Sequence, residues 1–93
     1  MPIQRNRRKS SLESYSSFSR TGLIGQLQYE GFSLDDATYG TDAQNADWNE
    51  QAGKSGESYL EISAFSRSGL IDQLEFEGYT SEQAAYGADA NGL

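Results

Sequence analysis

The chain repeats itself at an interval of 47 residues, and this duplication limits its possible folds more than any other feature. Phe18-Ser19-Arg20-Thr21-Gly22-Leu23-Ile24 recurs as Phe65-Ser66-Arg67-Ser68-Gly69-Leu70-Ile71. The match continues through Gln26/Gln73, Leu27/Leu74, Glu30/Glu77, Gly31/Gly78, Ala37/Ala84, Tyr39/Tyr86, Gly40/Gly87, Asp42/Asp89 and Ala43/Ala90. Fifteen of the 26 positions from Phe18 to Ala43 are identical in the copy, and Thr21/Ser68, Tyr29/Phe76, Phe32/Tyr79 and Ser33/Thr80 keep the chemistry. A chain of 93 residues holds one ordinary domain or two very small ones. It therefore reads as two copies of one small unit.

Each copy is patterned as helices. Leu12, Tyr15 and Phe18 recur at three-residue steps, as do Tyr59, Ile62 and Phe65, which places them along one helix face. Ser19 and Ser66 then stand where a new helix starts, as N-caps. Leu23, Ile24 and Leu27, mirrored by Leu70, Ile71 and Leu74, supply that helix with its apolar stripe. Gly31 and Gly78 suit the left-handed residue just past its end, with Phe32 or Tyr79 next and Leu27 or Leu74 as the facing apolar residue of a Schellman cap. Ser33 with Asp36, and Thr80 with Gln83, open a further helix at once, the latter as a capping box. Small residues at Ala37, Thr38 and Thr41, or Ala84, Ala85 and Ala88, let this helix approach its predecessor closely.

Between the copies, Asp47 and Glu50 form another helix start signal. Trp48, Ala52, Ser55, Tyr59 and Ile62 follow at helical spacing, so one helix is expected from about Asp47 to Ala64, linking the copies and leading the second. Gly53 and Gly56 each cost such a helix roughly 1 kcal/mol against Ala, and a flexible joint there is the alternative. The expected fold is all-α: two tandem three-helix repeats with helix-turn-helix-like units joined by a helical linker. In residue ranges, 1–10 is a disordered basic leader, 11–44 repeat one, 45–56 the linker helix and 57–93 repeat two. Copies this small sit below the ~40 residues at which domains usually need outside support, so modest stability is expected.

Charge and composition exclude most chemistry. Without Cys or His there is no thiolate or imidazole metal site, no disulfide, and no Ser-His or Cys-His catalysis. Arg5, Arg7, Arg8 and Lys9 make a basic start, whose role as a tether or as a membrane or nucleic-acid contact the sequence leaves open. From Ser10 onward only Arg20, Lys54 and Arg67 oppose all fourteen acids, a balance of −11. A body so acidic repels phosphates and attracts basic partners.

A DNA-reading helix should carry basic or amide side chains, yet the candidate helix offers Asp35, Asp36, Thr38, Tyr39 and Asp42, or Glu82, Gln83, Tyr86 and Asp89. The Asp42–Gly53 segment fails the EF-hand spacing, with Asp47 at the glycine position and Gly53 at the glutamate position. No apolar pocket is foreseen around any carboxylate pair. Arg20 and Arg67, just inside helix starts, are expected to pair with carboxylates, and Tyr39 and Tyr86 to pack in core or turn. Asp72 and Glu75 lie three apart off the apolar stripe of their helix, where the first copy has Gly25 and Gln28; Glu82 and Asp89 come from the next helix. These four acids are the candidate partner-binding face. Catalytic, cofactor and metal residues are not expected.

The strings Phe65–Tyr79 (Phe-Ser-Arg-Ser-Gly-Leu-Ile-Asp-Gln-Leu-Glu-Phe-Glu-Gly-Tyr) and Asp47–Ala52 (Asp-Trp-Asn-Glu-Gln-Ala) closely resemble the repeat of the host cell surface-exposed lipoprotein family. These are the Ltp-type proteins of temperate phages and their Gram-positive hosts. The resemblance covers about Leu12 to Asn91, twice over. It implies helix-turn-helix-like repeats that do not bind DNA, and a role in superinfection exclusion: display outside the cell membrane, where an incoming phage is stopped from delivering its DNA. The implied partner is a basic phage tail component, such as the tape measure protein. Family members carry a signal peptide and an acylated lipobox Cys, neither of which stands in these 93 residues. The expectation is thus a soluble, monomeric part of a parent that meets the membrane only through its lipid anchor. A cell-surface adhesion or host-interaction module built from the same repeats is the alternative.

Overall fold

The computed structural model describes residues 17–93, which form five helices and, among the described residues, no strand. They are α1 (Arg20–Tyr29), α2 (Leu34–Ala43), α3 (Trp48–Ile62), α4 (Arg67–Phe76) and α5 (Ser81–Ala90). The bounds of α4 and α5 are those of α1 and α2 displaced by 47, so the duplication in sequence is a duplication in structure. The helix expected through Leu12 and Tyr15, and the basic leader, lie outside the described residues.

Local chemistry accounts for these boundaries. Ser19, Ser33, Ser66 and Thr80 each adopt extended backbone and accept a hydrogen bond from the backbone N–H three residues on. Such a cap contributes about 1 kcal/mol by satisfying a helix-end donor. Thr80 and Gln83 complete the reciprocal pair of a capping box, with Thr80 N–H donating to Gln83 Oε1 at 3.0 Å. At the far ends of α1 and α4 the Schellman pattern is complete. Phe32 N–H donates to Leu27 O and Gly31 N–H to Gln28 O; Tyr79 and Gly78 do the same to Leu74 and Glu75. Gly31 and Gly78 have φ of +111° and +113°, the region that favours glycine.

α3 starts where Asp47 Oδ1 accepts from Asn49 N and Glu50 N, and runs unbroken past Gly53, Gly56 and the boundary drawn at residue 56. It stops at Ile62, two residues short of Ala64, because Ser63 is extended. This corrects the apolar stripe of the leading helix. Ile62 points to solvent at 82% exposure. Phe65 lies beyond the helix, its ring meeting Tyr59 edge-on at 6.1 Å. Phe18, likewise, precedes α1 in non-helical chain.

Packing follows the small residues. α3 lies against α5 and α4, closing a core of Ala52, Leu70, Leu74, Tyr79, Ala84 and Ala88. A Cβ at Gly87 would stand 2.8 Å from Ala52 O, so glycine is what lets the α3 backbone ride on α5. Asn91 Nδ2 stitches the two helices by donating to Gly53 O and Gly87 O at 3.0 and 2.8 Å. The hairpin of α1 and α2 has its own smaller core of Leu23, Leu27 and Ala37, onto which Phe18, Ile24 and Trp48 pack. Trp48 opens α3 yet belongs to the first core, so the linker helix touches both halves. Ser19 Oγ donating to Glu77 O at 2.9 Å, and Thr21 Oγ1 to Gly78 O at 3.1 Å, complete the junction.

Candidate functional site

The four acids singled out from the sequence sit on the second hairpin but do not converge. α4 and α5 run antiparallel, joined at the Gly78 turn. Near that turn Glu75 is half-buried and accepts from Ser81 Oγ at 2.6 Å, and exposed Glu82 follows Ser81 directly. Asp72 is exposed one helical turn back along α4. Asp89 lies at the opposite end of α5, where it is ion-paired with Arg67, which also donates to Leu93 O. The pairing removes Asp89 as a free anion and leaves Asp72, Glu75 and Glu82 as the negative face.

The same clasp closes the first hairpin. Arg20 Nε donates to Asp42 Oδ1 at 2.8 Å and Nη2 to Oδ2 at 3.0 Å, a bidentate fork. The hydrogen bond to Asp42 holds the Arg20 guanidinium above its ordinary value, and the bond from Arg20 holds the Asp42 carboxyl below the usual carboxylate range. In each repeat the arginine occupies the first position of a helix and the aspartate the next-to-last position of its partner, the wrong ends for the helix dipoles. Pairing them cancels both mismatches and ties the open end of the hairpin. The carboxylate partners expected for Arg20 and Arg67 are these.

Two features went unread in the sequence. The first is a surface groove of about 250 Å³ between α3 and α5, lined by Glu50, Gly53, Lys54, Glu57, Tyr86, Ala90 and Asn91. Its floor is the Gly53–Ala90–Asn91 contact, where small residues leave room. The second is the polar network beneath α3. Ser55 and Tyr79 hydroxyls meet at 2.8 Å in the core, and Tyr59 OH, which receives a bond from Gln73 at 3.3 Å, donates to the Glu77 carboxylate. Burial pushes the Tyr79 phenol up to about 12, and raises Tyr59 with help from the Glu77 bond. Tyr39 and Tyr86, expected to pack in core or turn, are both exposed, Tyr86 on the wall of the groove between α3 and α5.

Among the described residues no three carboxylates gather as a metal site demands, and no helix is long and apolar enough to cross a membrane. Chemically, the surface can offer carboxylates to cations and aromatic or aliphatic side chains to apolar ligands.

Residues 47–90 match the family model of the host cell surface-exposed lipoproteins. The match is confined to the second half of the chain. The matched span runs from the N-cap of α3 to the last residue of α5, so the similarity coincides with the three-helix body that α3 closes. The first hairpin shares its sequence with this unit through the 47-residue repeat. No curated protein and no solved structure matches the chain significantly.

Proposed function

We propose that this protein acts in superinfection exclusion. Held at the outer face of the host membrane by a lipid anchor on the parent protein, it binds a basic tail component of an incoming phage, the tape measure protein in particular, and blocks DNA injection. The observation that carries this reading is the match of the α3–α5 body to surface-exposed lipoproteins. The charge supports it: a body of −11 from Ser10 onward draws in a cationic protein and rejects nucleic acid. Exposed Asp72 and Glu82, with half-buried Glu75 between them, supply the attraction, while Asp89 serves the hairpin clasp. The protein works as a monomer and performs no catalysis in this reading; binding is its whole chemistry.

Phage challenge of cells displaying the protein tests it. Adsorption should be unchanged while delivery of phage DNA falls, and a tail-protein pull-down should recover a basic component. Normal DNA delivery contradicts the proposal and favours an adhesion role instead.

A further inference from the structure

Of the four asparagines in the chain, Asn91 alone is followed by glycine. An Asn-Gly pair is the dipeptide most open to deamidation, because no side chain shields the glycine nitrogen from the asparagine amide carbon. Two structural demands place the pair here. The end of α5 is a Schellman cap, in which Gly92 N–H donates to Asp89 O at 3.0 Å and Leu93 N–H to Ala88 O at 2.9 Å. Its left-handed residue, at φ +82°, calls for glycine. The residue before it holds α3 down. Asn91 Nδ2 donates to Gly53 O and Gly87 O, and Gly56 leaves it room, since a Cβ there would stand 2.8 Å from that nitrogen. The first hairpin ends α2 on Gln44 and Asn45, the latter at φ +53°, and so lacks the labile pair.

We propose that Asn91 is a gated deamidation site, protected while α3 lies on α5 and converted, one way, when α3 lifts. The Gly92 nitrogen gives up its proton to solvent and attacks Asn91 Cγ. The new N–Cγ bond closes a five-membered succinimide, the Cγ–Nδ2 bond breaks, and the amide nitrogen takes a proton from solvent and leaves as ammonia. Water, the sole co-reactant, then opens the ring to aspartate or isoaspartate. In the closed body both reacting groups are held elsewhere, Gly92 N–H by Asp89 O and Asn91 Nδ2 by Gly53 O and Gly87 O. Ring closure must break these bonds, so its rate follows the population in which α3 has lifted. The product does not reseat. A carboxylate only accepts hydrogen bonds, and the two atoms that faced the amide are carbonyl oxygens. The groove beside it carries Glu50 and Glu57 against Lys54, so the added anion also meets net negative charge. Isoaspartate routes the backbone through Cγ and puts an extra carbon inside the cap.

The test ages the full chain in mildly alkaline buffer, with and without denaturing urea, and follows deamidation of Asn91 by peptide mass spectrometry. Asn91 should convert at least about tenfold more slowly in the folded protein than in urea. Tyr79→Phe removes the Ser55 bond that helps hold α3 and leaves Asn91 and Gly92 untouched, so it should speed conversion under native conditions by roughly fivefold. Ser55→Ala deletes the other end of that bond and should act in the same direction. Asn91→Asp reproduces the aspartate product, and Asn91→Ala loses the same two bonds without adding charge. The first should melt below the second, with faster amide exchange along α3 and wild-type exchange in α1 and α2. The proposal is overturned by a smaller difference between folded and unfolded chain, or by conversion in both Tyr79→Phe and Ser55→Ala that is no faster than wild type. It is also overturned if Asn91→Asp melts at or above Asn91→Ala, or keeps the α3 exchange of the wild type.

Discussion

The Ser19 hydroxyl bridges the two repeats: it accepts from Gly22 N at 2.9 Å as the cap of α1 and donates to Glu77 O at 2.9 Å at the C-cap of α4 in the other hairpin. Ser66, its counterpart, caps α4 with Gly69 N at 3.0 Å and, among the described residues, reaches no other helix. Ser19→Ala should therefore cost about 1–2 kcal/mol, the cap plus a buried inter-repeat bond, and Ser66→Ala about 1 kcal/mol, the cap alone. Urea unfolding of the two variants measures the difference. Equal losses mean that the bridge adds nothing.

Equivalent glycines should respond with opposite sign. A methyl at Gly87 runs into Ala52 O, so Gly87→Ala should destabilise by about 1–3 kcal/mol through overpacking. At Gly40, among the described residues, the nearest atom to an added Cβ is Leu27 Cδ1 at 3.8 Å, an ordinary contact. Gly40→Ala should stabilise by up to about 1 kcal/mol through helix propensity. Thermal melts of the two variants decide it.

Thr41 is fully buried in the first hairpin, and among the described residues its hydroxyl has no hydrogen-bond partner. Its counterpart is Ala88, which has no hydroxyl to satisfy. Thr41→Val should raise stability by about 1 kcal/mol by removing an unpaired buried hydroxyl at nearly constant shape. A lower urea midpoint in this variant contradicts that account.

Tyr79 gives an alkaline limb to stability. Its phenol is pushed up to about 12 in the folded protein against about 10 unfolded, so the folded state holds that proton longer. The stabilisation is fully present below pH ~10 and is lost as pH rises toward ~12. Absorbance titration of the phenolates should show Tyr79 ionising last and together with unfolding. In Tyr79→Phe this limb should flatten, and Ser55 should lose its partner at a cost of about 1 kcal/mol.

Asp42 sets an acid limb. The Arg20 hydrogen bond holds its carboxyl below the ordinary value, so this contribution is present above the unfolded carboxyl pKa of about 3.9 and disappears as pH falls through the lower folded value. Asp42→Asn should shift the melting temperature less between pH 5 and pH 2.5 than the wild type does. An identical acid limb in both proteins contradicts it.

What the sequence made legible was the chemistry that acts within a few residues. Ser19, Ser33, Ser66 and Thr80 as caps, Gly31 and Gly78 as left-handed ends, and Asp47 as the start of α3 depend on bonds spanning two to five residues, and composition alone signals them. The clasps from Arg20 to Asp42 and Arg67 to Asp89 were half legible, since a cation at the wrong helix end calls for an anion. Burial was not. Phe32 and Tyr79 occupy the same place in the repeat, but only Tyr79 lies under α3, a fact of tertiary placement that no local pattern encodes. For the same reason Ile62 and Tyr39, apolar at helical spacing, proved exposed, and the acids Asp72, Glu75, Glu82 and Asp89 proved to be spread along a hairpin instead of gathered at one point.

In the proposed function, this duplicated helical body grips an incoming cationic protein at the cell surface. Following phage DNA entry directly, in cells displaying the wild type or the charge-reversed Asp72→Lys/Glu75→Lys/Glu82→Lys variant with adsorption measured in parallel, tests this most closely. The expected result is full adsorption to both, blocked entry with the wild type and restored entry with the variant. Unimpeded DNA entry past the wild type, at normal surface display, would contradict it.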